Sequence, residues 1–255
     1  MVFAKKRYGQ HFLADANIAR KIADSLININ KVYQNLIEIG PGNGSLTRFL
    51  HQKYADALWL IEIDNDLIPS LQQTFPETKI LNVDFLSVDF QKIFTDQTGI
   101  IGNFPYNISS QILIKILENR QIVPEVVGMF QKEVAERLVA APGSKEYGRL
   151  SVLVQTFYSV KILFKVPPTV FLPPPKVESA VIRMERKENM KTGISDRFYF
   201  SVVKAAFGQR RKTLKNSLKA AGFNISPIDT TLLGRRAETL DFEEYIKLAQ
   251  DLSGA

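Results

Sequence analysis

The 255-residue chain predicts an α/β protein: a mostly parallel β-sheet covered by helices on both faces, followed by a small α-helical C-terminal domain. Three observations carry this expectation. Five short apolar runs, starting near Leu36, Ala57, Lys79, Gly99 and Val126, alternate with segments of helical periodicity. The first run ends in Gly40-Pro41-Gly42-Asn43-Gly44, a turn of the kind that carries a chain from strand to helix. Beyond residue 189 the strand pattern stops and only helical segments follow.

Composition narrows the function classes. With 45% hydrophobic and 23% charged residues, the chain has the make-up of a folded globular protein. It holds no cysteine, which excludes disulfides, thiol nucleophiles and cysteine-ligated zinc and fits a cytoplasmic protein. His11 and His51 are its only histidines, so a histidine triad or multi-histidine metal site is not expected, and no metal is assigned. Met1 to Leu13 lacks the apolar centre of a signal peptide, and no stretch is long enough to span a membrane. The net charge of +7 favours a polyanionic partner such as nucleic acid.

In chain order, Lys5-Lys6-Arg7-Tyr8-Gly9-Gln10-His11-Phe12-Leu13 reads either as a solvated tail or as a basic arm that covers a ligand. Asp15 is placed to cap a helix on which Ile18, Ile22 and Leu26 recur. Leu36 to Ile39 forms the first strand, and the glycines after it let backbone approach a ligand at a helix N-terminus. The second strand, Ala57 to Ile63, carries Glu62, 22 residues beyond Gly40, where an acid can reach the ribose hydroxyls of an adenosine cofactor. A dinucleotide loop prefers its third glycine at the position of Ser45. The GxGxG spacing found here, with Glu38 just upstream, suits S-adenosylmethionine better, because there is no pyrophosphate to cradle.

The third strand, Lys79 to Phe85, carries Asp84, an acceptor for an adenine amine or simply a solvated acid. The fourth leads into Gly102-Asn103-Phe104-Pro105-Tyr106-Asn107-Ile108-Ser109, a strand-to-helix turn whose amide, fixed backbone and aromatic ring suit a flat, hydrogen-bonding base. Val126 to Phe130 is the fifth strand and runs into a charged helix through Leu138. Arg149 to Phe157 is a helix, while Val160 to Val166 and Ala180 to Met184 form a late strand pair at the sheet's edge. Phe171, between two proline clusters, is either one face of a stacking clamp or a loop aromatic tucked onto the core.

Lys187 to Asp196 is polar and contains glycine, and it separates an expected domain 1–189 from a helical domain 190–255. There, Phe198 to Leu218, Pro227 to Leu233 and Phe242 to Leu252 read as three helices. Six basic residues and no acid lie between Lys204 and Lys219, centred on Gln209-Arg210-Arg211-Lys212, a composition suited to phosphates.

Together these segments resemble the ribosomal RNA adenine N6-dimethyltransferase family. The resemblance runs through Tyr8 to Leu13, Glu38 to Gly42, Asn103 to Ser109, Gln131 to Val134, Tyr147 to Val152, Pro173 to Ala180 and Gln209 to Leu214. It implies a Rossmann-like class I methyltransferase fold with a mostly parallel seven-stranded sheet. The implied reaction dimethylates two adjacent adenosines in the 3′-terminal hairpin of small-subunit ribosomal RNA, within a pre-ribosomal 30S particle. The donor is S-adenosylmethionine and the product S-adenosylhomocysteine; a monomer is the default expectation. By position, cofactor contacts carry over to His11, Leu13, Gly40, Glu62, Asp84 and Asn103. Target-base and catalytic roles fall on Asn103, Phe104, Pro105, Tyr106 and Phe171, and RNA contacts on Lys5, Lys6, Arg7, Arg210, Arg211 and Lys212. His11 stands where the family usually has asparagine, and Phe104 where it usually has leucine.

Overall fold

The apolar runs assemble as a sheet because their residues are buried in succession rather than alternately. In β2 (Asn35–Ile39), β5 (Thr98–Asn103) and β6 (Glu125–Gln131) nearly every side chain is buried, so both faces are covered, as in parallel sheets flanked by helices. The computed structural model describes residues 5, 8–28, 32–209 and 211–254. With β3 (Leu58–Ile61), β4 (Lys79–Leu81), β7 (Tyr158–Val166) and β9 (Ser179–Arg186), these strands form a seven-stranded sheet in the order β4-β3-β2-β5-β6-β9-β7. β4 through β6 pair in parallel, and β9 runs antiparallel to β6. The expected strand pair therefore closes one edge, with β9 inside it and β7 outermost.

The chain divides into two compact units, residues 1–135 with 161–186 and residues 136–160 with 187–255. The first holds most of the sheet. Its helix α1 (Ala16–Ala23) is capped as expected, the Asp15 carboxylate accepting from the amides of Asn17 and Ile18, and buries Ala19, Ile22 and Ala23. Its periodic segments behind β2, β3 and β5 become α2 (Thr47–Tyr54), α3 (Ile68–Thr74) and α5 (Ser109–Glu118), and α4 (Phe90–Ile93) is a single turn. A feature that the sequence pattern does not announce is a small antiparallel ribbon. In it β1 (Phe12–Leu13) pairs with β8 (Phe171–Leu172), Phe12 facing Leu172 and Leu13 facing Phe171.

The second unit is helical. α6 (Lys132–Val139) leads from the first unit into it, and α7 (Arg149–Phe157) packs with α8 (Asp196–Ala206) and α11 (Phe242–Ser253). The Thr156 hydroxyl and the buried Tyr199 hydroxyl lie 2.7 Å apart, and Asp241 and Glu244 cap α11 reciprocally. The single helix expected over Phe198 to Leu218 is two: α8 ends before Phe207, and α9 (Leu214–Ala220) starts after a loop. The loop is held by tertiary pairing, since Leu214 N donates to the Arg235 carbonyl beside α10 (Thr230–Gly234). Apolar periodicity continues across this break and conceals it in the sequence.

Candidate functional site: an acidic cavity at the strand ends

A cavity of about 330 Å³ opens where β2, β3 and β5 end, the position at which open α/β sheets bind ligands. Its floor is the glycine loop. Gly40, Gly42 and Gly44 all take positive φ, a region costly for residues with a Cβ. A Cβ on Gly40 would meet nothing within 4 Å, so the loop faces open space there, whereas one on Gly42 would press the Phe12 ring at 3.0 Å.

The walls are acidic. Glu38, Glu62 and Asp84 line the cavity, and no lysine or arginine does so among the described residues. Glu62, 4% exposed, accepts from the Gly42 amide at 3.2 Å and the Asp64 amide at 2.8 Å, which ties the end of β3 to the glycine loop. Burial pushes its carboxyl above the usual range, against those two hydrogen bonds. Asp84 uses Oδ1 to accept from the Leu86 amide, which leaves its other oxygen for a ligand. Glu38 has no assigned role in the sequence pattern beyond the loop motif, and the structure gives it one of the most distinctive positions. It is 1% exposed, Oε2 has no hydrogen-bond partner among the described residues, and burial pushes its carboxyl up to about 8 against the nearby Thr47 hydroxyl, with the Glu62 charge adding to the rise. The available signal is a lone acid inside an otherwise apolar strand of a doubly covered sheet.

The N-terminal arm roofs the cavity: Tyr8 through Leu13 all line it. Lys5 Nζ lies 2.5 Å from both Asp64 Oδ1 and Asp66 Oδ2, and Gln10 Nε2 donates to Asp64 at 3.0 Å. Lys5, for which an RNA contact is expected, is held by two acids at the end of β3 in an intramolecular clasp. Lys6 and Arg7 lie outside the described residues. Leu13 is buried in the β1–β8 ribbon. His11 Nδ1 is 2.8 Å from the Pro173 carbonyl, so Nδ1 carries a hydrogen and donates it. The His11 ring stacks on Tyr106, centroids 5.5 Å apart and planes 27° off parallel.

The Asn103–Tyr106 turn forms the remaining wall. Asn103 Nδ2 donates to the His11 carbonyl at 2.8 Å, so the side-chain oxygen is left without a donor among the described residues. The Phe104 ring is buried at 1% exposure, edge-on to Phe130, and its amide donates to the Met129 carbonyl at 3.2 Å. Pro105 accepts from the Ile108 amide, and the Tyr106 hydroxyl lies 2.6 Å from Ser179 Oγ. Phe171 is the site residue that the structure moves away. Its ring is 1% exposed within the hydrophobic core, and on a two-residue strand it is Leu172, at 64% exposure, that faces outward. Of the two readings the sequence allows for Phe171, this burial corresponds to the aromatic tucked onto the core, while Tyr106 lines the cavity together with Asn103. In the second unit, Arg211 and Lys212 are exposed in the α8–α9 loop rather than on a helix, and Arg210 lies outside the described residues.

Comparison with known proteins places this geometry. A family model described as Ribosomal RNA adenine dimethylase matches residues 1–247. The chain is 46% identical to Ribosomal RNA small subunit methyltransferase A of Cytophaga hutchinsonii, over 99% of this chain and 98% of that protein. With the protein of the same name from Flavobacterium johnsoniae it shares 47% identity, over 98% and 96%. Among solved structures it is similar to a dimethyladenosine transferase from Plasmodium falciparum, with a TM-score of 0.80 and 25% identity, covering 96% of this chain and 98% of that one. The 23S rRNA methyltransferase ErmE shares the fold at a TM-score of 0.68, 24% identity and coverage of 95% and 99%. The chain has the class I methyltransferase fold and belongs to the ribosomal RNA adenine dimethylase family.

Proposed function

We propose that the protein transfers methyl groups from S-adenosylmethionine to the N6 atoms of two adjacent adenosines in the 3′-terminal hairpin of small-subunit ribosomal RNA, giving N6,N6-dimethyladenosine and S-adenosylhomocysteine. The observation that carries this reading is the cavity itself: three acidic side chains, no lysine or arginine among the described residues, and an opening onto the Asn103–Tyr106 turn. A pyrophosphate would be repelled from such walls, whereas a ligand with sulfonium and ammonium groups is attracted. The unpaired Glu38 oxygen also fits that ligand, since a cation beside it would draw the carboxyl back toward its charged form. Gly40 leaves room for close approach, Glu62 stands at the distance in sequence suited to ribose hydroxyls, and Asp84 offers its free oxygen to an adenine amine. His11 and Leu13 close the cofactor site from the arm.

When bound, the cofactor supplies an activated methyl group, so the protein's task is positioning for in-line attack. The adenine N6 lone pair is delocalised into the ring and must be localised before it can attack. Asn103 Oδ1 and the Phe104 carbonyl are suited to accept the two N6 hydrogens, and Tyr106 to stack on the extruded base. Pro105 fixes the backbone between them. Asn103 is not a base, so the proton released after transfer passes to water. We assign methyl transfer to residues 1–189 and RNA contact to residues 190–255, where Arg210, Arg211 and Lys212 would meet phosphates. The substrate would be a pre-ribosomal 30S particle in the bacterial cytoplasm, met by a monomer. Among the described residues no helix is long and apolar enough to cross a membrane.

Incubation with labelled S-adenosylmethionine and immature small subunits, followed by primer extension, tests the reading. Stops at two adjacent adenosines of the 3′-terminal hairpin are expected; labelling of large-subunit RNA alone, or of neither, would refute it.

A further inference from the structure

The Phe104 ring is seated in an unusual way. Gly102 on β5 and Gly128 on β6 are register partners, and the ring lies across both. Phe130 lies two residues beyond Gly128 on β6 and shares its face, and Phe104, one residue past the end of β5, brings its ring over both glycines, so two bare positions meet two rings. A Cβ on Gly128 would stand 2.6 Å from Phe104 Cε2, 3.1 Å from its Cδ2 and 2.6 Å from Phe130 Cε2. A Cβ on Gly102 would stand 2.8 Å from Phe104 Cε1 and 3.0 Å from its Cδ1, but also 2.6 Å from the Ile39 carbonyl oxygen. One edge of the ring thus rests on each strand. Phe130 meets it edge-to-face, with centroids 4.9 Å apart and planes at 85°. Neither glycine takes a positive φ, so backbone conformation does not require glycine at either position.

We propose that Gly128 is a positioning residue for methyl transfer: it leaves the sheet bare beneath Phe104, so that the seated ring sets where the Phe104 carbonyl points into the cavity. The proposal rests on the reading above, in which that carbonyl accepts an N6 hydrogen. Gly128 itself does not line the cavity. A methyl group there would lift the ring and, through it, the turn. A displacement of the order of 1 Å at the reacting geometry costs about 10²-fold in rate.

The two glycines differ in a way that makes the test sharp. The close contacts of a Gly128 methyl are ring atoms, which a smaller side chain at position 104 removes or allows to shift. The closest contact of a Gly102 methyl is backbone, which no change at position 104 relieves.

The experiment measures single-turnover methyl transfer to immature small subunits at saturating S-adenosylmethionine, together with the cofactor Kd by calorimetry. The proteins are the wild type, Gly128→Ala, Gly102→Ala, Phe104→Leu, and each glycine variant combined with Phe104→Leu. Gly128→Ala should slow transfer about 10²-fold with the cofactor Kd unchanged. Made in the Phe104→Leu background, the same substitution should cost far less, whereas Gly102→Ala should keep most of its cost there, because its backbone contact at 2.6 Å remains. Equal Gly128→Ala losses in both backgrounds, to within the roughly twofold scatter of uncoupled sites, would overturn the proposal, as would a loss confined to cofactor binding or no loss at all. If circular dichroism shows that Gly128→Ala does not fold, Phe130→Leu removes the edge-to-face support without adding atoms. Slower transfer at unchanged Kd then supports the proposal, and an unchanged rate overturns it. Wild-type activity on the same particles reports on the functional reading separately: an inactive wild type sinks that reading, and an active wild type without coupling sinks only this one.

Discussion

Glu38 makes the stability of the cofactor-free protein depend on pH in a calculable way. In the folded chain its carboxyl is pushed from an ordinary value of 4.5 to about 8, with burial the main cause. Between those values the native state holds a proton that the unfolded chain has released, so stability falls as pH rises and levels off above about 8. Each pH unit in this window changes stability by about 1.4 kcal/mol, giving a loss of about 4 kcal/mol between pH 5 and pH 8 as an upper limit. Glu38→Gln keeps the shape and removes the titration. Urea unfolding of both proteins without cofactor, at unit steps from pH 5 to pH 8, isolates the effect, because every other group titrates in both. The variant should be close to the wild type at pH 5 and more stable than it by several kcal/mol at pH 8. A difference that does not change with pH would show that Glu38 is ionised in the folded state and would refute the reasoning.

Asn103→Ala should lower turnover about 10²–10³-fold, the cost of removing one preorganised polar group, while calorimetry finds S-adenosylmethionine binding largely intact. Glu62→Ala should weaken cofactor binding by about 1.5–3 kcal/mol, ten- to a hundredfold, since it removes charged acceptors and frees the Gly42 amide that Glu62 holds. An unchanged dissociation constant would count against that role. Replacing Arg210, Arg211 and Lys212 with alanine should flatten the log–log salt dependence of RNA binding by about 0.7–0.9 for each phosphate that is no longer neutralised. A slope equal to that of the wild type would place these residues off the RNA.

The sheet is legible in the sequence because each central strand is an uninterrupted apolar run, and the glycine loop because three positive-φ positions demand its residues. Residues separated by turn motifs, such as Glu62 and Asp84, follow from strand-end logic, and they do converge on one cavity. Other positions depend on partners far away in the chain. Lys5 resembles a phosphate ligand in the sequence because its acidic partners, Asp64 and Asp66, lie 59 and 61 residues away in the chain. The prolines around Phe171 bear on rigidity but not direction; the pairing of β8 with β1 decides that its ring goes inward. The α8–α9 break depends on pairing with Arg235, again a distant residue. Local pattern points to residues that line the cavity, and long-range pairing decides which way they face.

In the proposed mechanism, Asn103 Oδ1 and the Phe104 carbonyl receive the two hydrogens of an adenine amine. A crystal structure with S-adenosylhomocysteine and an RNA hairpin carrying the target adenosines measures this directly. The target N6 should lie within hydrogen-bonding distance, about 2.7–3.2 Å, of both oxygens, with its base against Tyr106. An extruded adenosine whose N6 contacts neither oxygen, or a base held elsewhere in the cavity, would contradict it.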